Sequence, residues 1–224
     1  MTNPPTPAGP IKPALHTRLL RLWADWVPIR SLKPTHRRRI AQHLLALDAQ
    51  DRYLRFGHAA TDEQIKAYVG AIDFAQDEVL GIFNRRLVLV AVAHLAYSPK
   101  PQLPGRPAMA EFGVSVAKKG RGRGFGARLF ERAALHARNR GIDTLFIHAL
   151  TENAPMLRIA LKAGAKVERE GSETEAWLRL PPDSFVSHVG EALERQLAEV
   201  DFELKRNLRS LGQLVDGISD MTKR

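Results

Sequence analysis

The chain has 224 residues, 44% of them hydrophobic, enough for one domain with a sizeable core and extensions. Cysteine is absent, which excludes disulfide, zinc-thiolate and thiol chemistry and leads to the expectation of a cytoplasmic protein without a metal site; no apolar run approaches the roughly 18 residues of a membrane span. The net charge of +10 is uneven, since ten Lys/Arg against Asp25, Asp48 and Asp51 leave +7 on the first 60 residues, a field that attracts anions.

In chain order, residues 1–25 read as an extension. Pro4, Pro5, Pro7, Pro10 and Pro13 predict disorder over its first half, with no secretory signature. Leu19, Leu20, Leu22, Trp23 and Trp26 then cluster on one side of a short amphipathic helix over 16–26. Val27–Leu32 reads as a first strand, and Thr35 is placed to cap a helix through Leu47. Thr61 and Gln64 form a capping-box pattern ahead of Ile65, Tyr68, Val69 and Ile72. Glu78–Phe83 and Leu87–Tyr97 flank Asn84-Arg85-Arg86, a hairpin signal without the best turn residues. A proline-rich loop over 99–107 leads into a strand, Met109–Val116.

The most informative stretch follows that strand: Gly120-Arg121-Gly122-Arg123-Gly124-Phe125-Gly126-Ala127. Strand, glycine-rich basic turn and helix start come in one run. The helix N-terminus offers unpaired N–H groups and the positive end of a dipole. Gly122, Gly124 and Gly126 let a phosphate approach the backbone, and Arg121 and Arg123 add charge-assisted hydrogen bonds. A Walker A loop is excluded, because Phe125 follows Gly124 and no Lys-Ser pair exists. A dinucleotide fingerprint fits on paper, but Asp143 precedes the next apolar run and Glu152 lies beyond it, so its acidic partner is misplaced. The third pattern, Arg/Gln-x-x-Gly-x-Gly/Ala, is filled by Arg121, Gly124 and Gly126.

Downstream, Phe125, Leu129, Phe130, Ala133, Ala134 and Ala137 recur at helical spacing and Gly141 stops the helix. Thr144–Leu150 reads as a buried strand, Asn153 caps a helix that Gly164 ends, and two short strands follow over Ala165–Glu170 and Glu175–Leu180. In the C-terminal extension, 182–224, apolar residues from Phe185 to Ile218 step by threes and fours. Such a stripe demands a partner surface; its drift around the helix favours docking on its own domain over a coiled coil, and leaves monomer or homodimer as the assemblies.

The Arg121/Gly124/Gly126 pattern resembles the acetyl-CoA pyrophosphate loop of the GNAT superfamily of N-acetyltransferases, and Asn153 to Gly164 resembles the GNAT segment that follows the fifth strand. Asp51–Phe56 and Ala110–Val116 are similar to segments of bacterial protein-lysine acetyltransferase GNAT domains. The resemblance covers residues 26–181 and implies an α+β GNAT fold: a central mixed, mostly antiparallel sheet with flanking helices, here with a long C-terminal amphipathic helix. It implies acetyl-CoA as donor and an amine acceptor, either protein lysine or a small amine, with a non-catalytic acyl-CoA-binding module as the alternative. No helix-turn-helix or basic-aromatic interleaving supports nucleic acid as a partner.

The resemblance further implies that the thioester lies in a splay between the fourth and fifth strands. There Val114 and Val116, with Ser115 between them, hold the donor arm and a backbone N–H of that strand holds the oxyanion, residues 121–127 hold the pyrophosphate, and Asn153 stands beside it. Glu111 sits where related enzymes carry a base; among apolar strand residues desolvation would favour its neutral form, and the alternative is an ion pair with an arginine. His148 is a second candidate, though a lone His on an apolar strand reads first as a packed one. The tyrosine that protonates the leaving thiolate in many GNAT enzymes is replaced by Ala160, which leaves Ser115 or Tyr97 as other donors.

Overall fold

In a computed structural model of the protein, the described residues are 27–98, 108–181, 195–203 and 206. The expected N-terminal helix, the proline-rich loop and most of the C-terminal stripe lie outside them. β1 (Ile29–Ser31) leads through a 3-10 turn (Pro34–His36) to α1 (Arg37–Leu45), α2 (Ala49–Phe56) and α3 (Asp62–Ala71). The hairpin β2 (Glu78–Phe83) and β3 (Leu89–Tyr97) precedes β4 (Met109–Val116), α4 (Phe125–Asn139), β5 (Thr144–Leu150), α5 (Ala154–Lys162), β6 (Lys166–Glu170) and β7 (Glu173–Arg179). One sheet holds all seven strands in the order β1-β2-β3-β4-β5-β7-β6. Only β4 and β5 run parallel, so the expected α+β architecture with a mostly antiparallel sheet is present.

Local chemistry explains most boundaries. Thr61 accepts a hydrogen bond from the Gln64 amide at 3.3 Å while Gln64 accepts from the Thr61 amide at 2.9 Å, the reciprocal box the spacing predicts. The Thr35 expectation fails: Pro34 starts a 3-10 turn instead, closed by a 3.0 Å bond from the Lys33 amide to His36 Nδ1. Asp51–Phe56 forms most of α2, a helix not among those expected from the sequence, capped by Asp48, which accepts from the Asp51 amide at 2.8 Å, and stopped by Gly57 at φ 78°. In the hairpin, Asn84 Oδ1 accepts from the Arg86 and Val88 amides. Leu87 takes φ 55°, so β3 starts two residues later than the apolar run suggests.

Strand alternation divides the core in two. One face carries Ala93, Leu95, Phe112, Leu145 and Ile147 under α4 and α5; Phe112 meets Phe130 edge to face at 5.1 Å. The other carries Val79, Leu89 and Val92 under Ile40, Leu44, Ile65 and Val69 of α1 and α3. Residues 195–203 are helical and dock here: Phe202 joins this second cluster, 5.2 Å from Phe83, with the Arg30 guanidinium 3.7 Å from its ring. Glu199 pairs with Arg30 alongside. The segment docks, but not by the stripe expected: of that stripe's members among the described residues Leu197 is 44% and Val200 62% exposed, while Ala198 and Phe202, which lie off it, are buried.

Candidate active site

β4 and β5 pair only at Met109–Thr144, Ala110–Leu145 and Glu111–Phe146. Beyond Glu111, β4 stays bonded to β3 as far as Val116, while β5 follows β7. The strands therefore splay, and the gap opens into a cleft of about 920 Å³ that runs to the loop before α4. Along the loop, Gly122 and Gly124 adopt φ 72° and 73° with open space where a Cβ would point. Gly124 is the N-cap of α4, and having no side chain it leaves the first-turn amides to an anion. Gly126 lets α4 approach α5: a Cβ there would stand 3.2 Å from Ile159. The backbone thus fits a phosphate cradle.

Two cations beside the cradle are engaged by α2. Lys118 pairs with Asp48 at 2.5 Å, which pushes the Asp48 carboxyl below its usual range, and Arg121 pairs with Asp51. Arg123 lies over the Phe125 ring at 4.7 Å. Asp51 and Arg55, one helical turn apart, both line the cleft, so α2 spans it from the cradle to the splay. Asn153 caps α5 through a 3.3 Å bond from the Met156 amide, and its Nδ2 donates to the Leu54 carbonyl at 3.2 Å. That ties the C-terminal end of α2, whose last carbonyls lack helical partners, to the far wall.

Val114, Ser115 and Val116 line the cleft, as do Glu111 and His148. Glu111 is exposed and has no ion pair among the described residues, so neither the arginine partner nor the burial weighed from sequence is found. His148 is not the packed histidine its strand suggested: its side chain is 43% exposed and lies 3.4 Å from Glu173. Alternation turns it outward, because Ile147 and Ala149 take the core side. Ser115 is buried, and its hydroxyl is bound at 2.9 Å by His43 Nε2, whose Nδ1 meets the Leu89 carbonyl at 3.0 Å. Tyr97 lies outside the cleft with Arg140 4.2 Å over its ring, and Ala160 is buried in the core, a methyl where a hydroxyl was sought.

Sequence reasoning missed Arg55, Tyr68, His94 and Asp77, which form one hydrogen-bonded chain ending at the cleft. Asp51 and Arg55 at helical spacing were the only available signal; the partners come from α3, β3 and the loop before β2. Among the described residues no helix is long and apolar enough to cross a membrane, and no His/Cys/Asp/Glu group is arranged to hold a metal.

A model of the acetyltransferase (GNAT) family matches residues 22–165. No curated protein matches the chain by sequence. Among solved structures, the GNAT domain of S. lividans PAT is 21% identical at a TM-score of 0.57, over 68% of this chain and 89% of that one. Salmonella typhimurium yncA, solved with its cofactor acetyl-CoA, is 18% identical at 0.53, over 71% and 96%. Ribosomal-protein-alanine N-acetyltransferase from Brucella melitensis is 17% identical at 0.51, over 68% and 99%. At these identities the likeness carries the fold, and the family match adds membership. With its splayed parallel pair and glycine cradle, the chain belongs to the GNAT family of acetyltransferases.

Proposed function

We propose that the protein is an N-acetyltransferase that uses acetyl-CoA as donor and moves the acetyl group to a primary amine by direct attack. The observation that carries this reading is one cleft that joins a phosphate cradle to a sheet splay and is lined by Glu111, a carboxylate with no ion pair among the described residues. Backbone amides of 122–127, with Arg121 and Arg123, would hold the donor's pyrophosphate; Val114, Ser115 and Val116 would hold its arm, with Asn153 shaping the wall. The donor supplies an activated thioester carbonyl. Glu111 takes the proton of the attacking amine, and His148, the second candidate, stands on the same face one strand away. Without cysteine an acetyl-thioenzyme cannot form, which supports the direct route. Ala160 supplies no acid, but a thiol with a pKa near ~8.5 leaves tolerably unaided.

The acceptor side has a marked charge. Register places Glu111, His148, Glu168, Glu170, Glu173 and Glu175 on one sheet face with Phe146 and Trp177, against two cations, Arg179 and Lys166, of which Lys166 pairs with Glu168 at 2.6 Å. Within a chain of net charge +10, this local excess of carboxylates favours a cationic amine, such as a lysine side chain or a small polyamine, over a neutral acceptor. The test pairs calorimetry of acetyl-CoA with acetyl-CoA consumption across a panel of lysine peptides and small amines. Binding that weakens in Arg121→Ala and Gly124→Asp, together with turnover on a cationic amine, is expected. Tight binding with no turnover on any amine would assign the non-catalytic module instead, and unchanged affinity in both variants would remove the cradle.

A further inference from the structure

Arg55 is held with unusual care for a cleft residue. Its Nη2 donates to the Tyr68 hydroxyl at 2.7 Å, that hydroxyl meets His94 Nδ1 at 2.7 Å, and His94 Nε2 meets Asp77 at 2.9 Å. The hydrogens run one way when His94 carries its proton on Nε2. It then donates to Asp77 and accepts from Tyr68, whose oxygen keeps its lone pairs for Arg55. Burial lowers the His94 pKa from its ordinary value, against the pull of Asp77, and so favours the neutral ring of this hydrogen-bonded chain. The rings of Phe56 and Tyr68 flank the guanidinium at 5.2 and 5.4 Å.

The guanidinium rests on the β4 backbone at Gly113, just past the last β4–β5 pair. A Cβ at 113 would stand 2.7 Å from its central carbon, so glycine is what lets the charge reach the strand. Among the described residues Arg55 has no carboxylate partner, and its other N–H donors are unspent. A helix-to-helix staple would need only the Tyr68 bond. We infer that Arg55 is an anion-holding group at the reacting end of the cleft, taking the negative charge that develops on the donor's carbonyl oxygen. This rests on the acetyl-CoA reading above.

The charge balance is simple. The amine lone pair forms the C–N bond as the carbonyl π pair moves to oxygen, and a nitrogen proton passes to Glu111. The pair then returns as the C–S bond breaks, the thiolate takes a proton from water, and Glu111 returns its own to water. Arg55 faces the oxygen while it carries that pair.

S-carboxymethyl-CoA, which places a carboxylate near the thioester position, probes the site without an acceptor. Calorimetry compares it with acetyl-CoA on the full chain, in wild type, Arg55→Gln, Gly113→Ala and Tyr68→Phe. The wild type is expected to prefer the carboxylate by about tenfold, as a charge-assisted hydrogen bond supports. Arg55→Gln and Gly113→Ala should erase the preference and leave acetyl-CoA affinity within about twofold, since the alanine displaces only the end of a side chain; Tyr68→Phe should reduce it. Equal wild-type affinities, a preference that survives both variants, or a parallel loss for both ligands would overturn the inference and leave the donor reading standing. A wild type that binds neither ligand would overturn both.

Discussion

Glu111 is the last β4 residue paired with β5, and it turns its carboxylate to the cleft. A base works on the transition state, so Glu111→Gln is expected to lower kcat by roughly 10²–10⁴-fold while acetyl-CoA affinity holds, read from initial rates and calorimetry. A wild-type kcat in that variant moves the base to His148. The buried histidines have a different consequence. Burial lowers the pKa of His36, His43 and His94 in the folded chain, in each as the largest cause. The unfolded chain takes up protons below about 6.5 that the folded chain refuses. Stability should be complete above that pH and fall as pH drops through and below it, seen as a sinking urea midpoint between pH 7.5 and 5.5. A flat midpoint would contradict the assignment. Side-chain partners were the least legible part of the sequence: nothing in its spacing joins His43 to Ser115 or Asp77 to His94, because those contacts cross the sheet interior.

Elements with a local signature were legible, and those made by context were not. The Thr61 box, the loop glycines and the Asn153 cap each rest on residues within four positions, so reading them needed no partner. α2 was missed because none of its residues is buried; it is held by Asp48 and Gly57 at its ends and by ion pairs to the phosphate loop. Phe56 packs at the edge of the second cluster, but eight residues give too short an apolar period to read. The segment 195–203 is a helix whose apolar stripe was legible but whose docking face was not: Leu197 and Val200 of the stripe are exposed, and Phe202, off the stripe, is the anchor. Phe202→Ala should cost about 3 kcal/mol, the low end for a buried phenylalanine, since its ring covers the edge of a cluster. Guanidine unfolding measures it. A loss below about 0.5 kcal/mol, the usual size of a surface substitution, would mean that the docking adds little.

At the scale of the molecule, the mixed, mostly antiparallel sheet and the splay between the fourth and fifth strands followed from family resemblance, whereas periodicity alone gave the strands without their neighbours, and the strand order and the parallel β4–β5 pair came from the structure. Charge shows the same division. The basic excess is plain in the composition, but the carboxylate-rich face of β5, β7 and β6 emerges only when register brings Glu168 beside Glu175 and Glu170 beside Glu173. The splay has one more consequence. From Phe112 to Val116, β4 has a ladder on its β3 side alone, so a strand in the middle of the sheet carries a private edge. Amides aimed into that gap should exchange with deuterium far faster than their neighbours in β3, despite lying at the centre of the fold. A donor arm that completes the ladder should slow them sharply, while the outer strands keep their rates. Exchange across residues 112–116 thus reports occupancy of the cleft before any acceptor is known, and equal rates with and without acetyl-CoA would mean that the edge stays open.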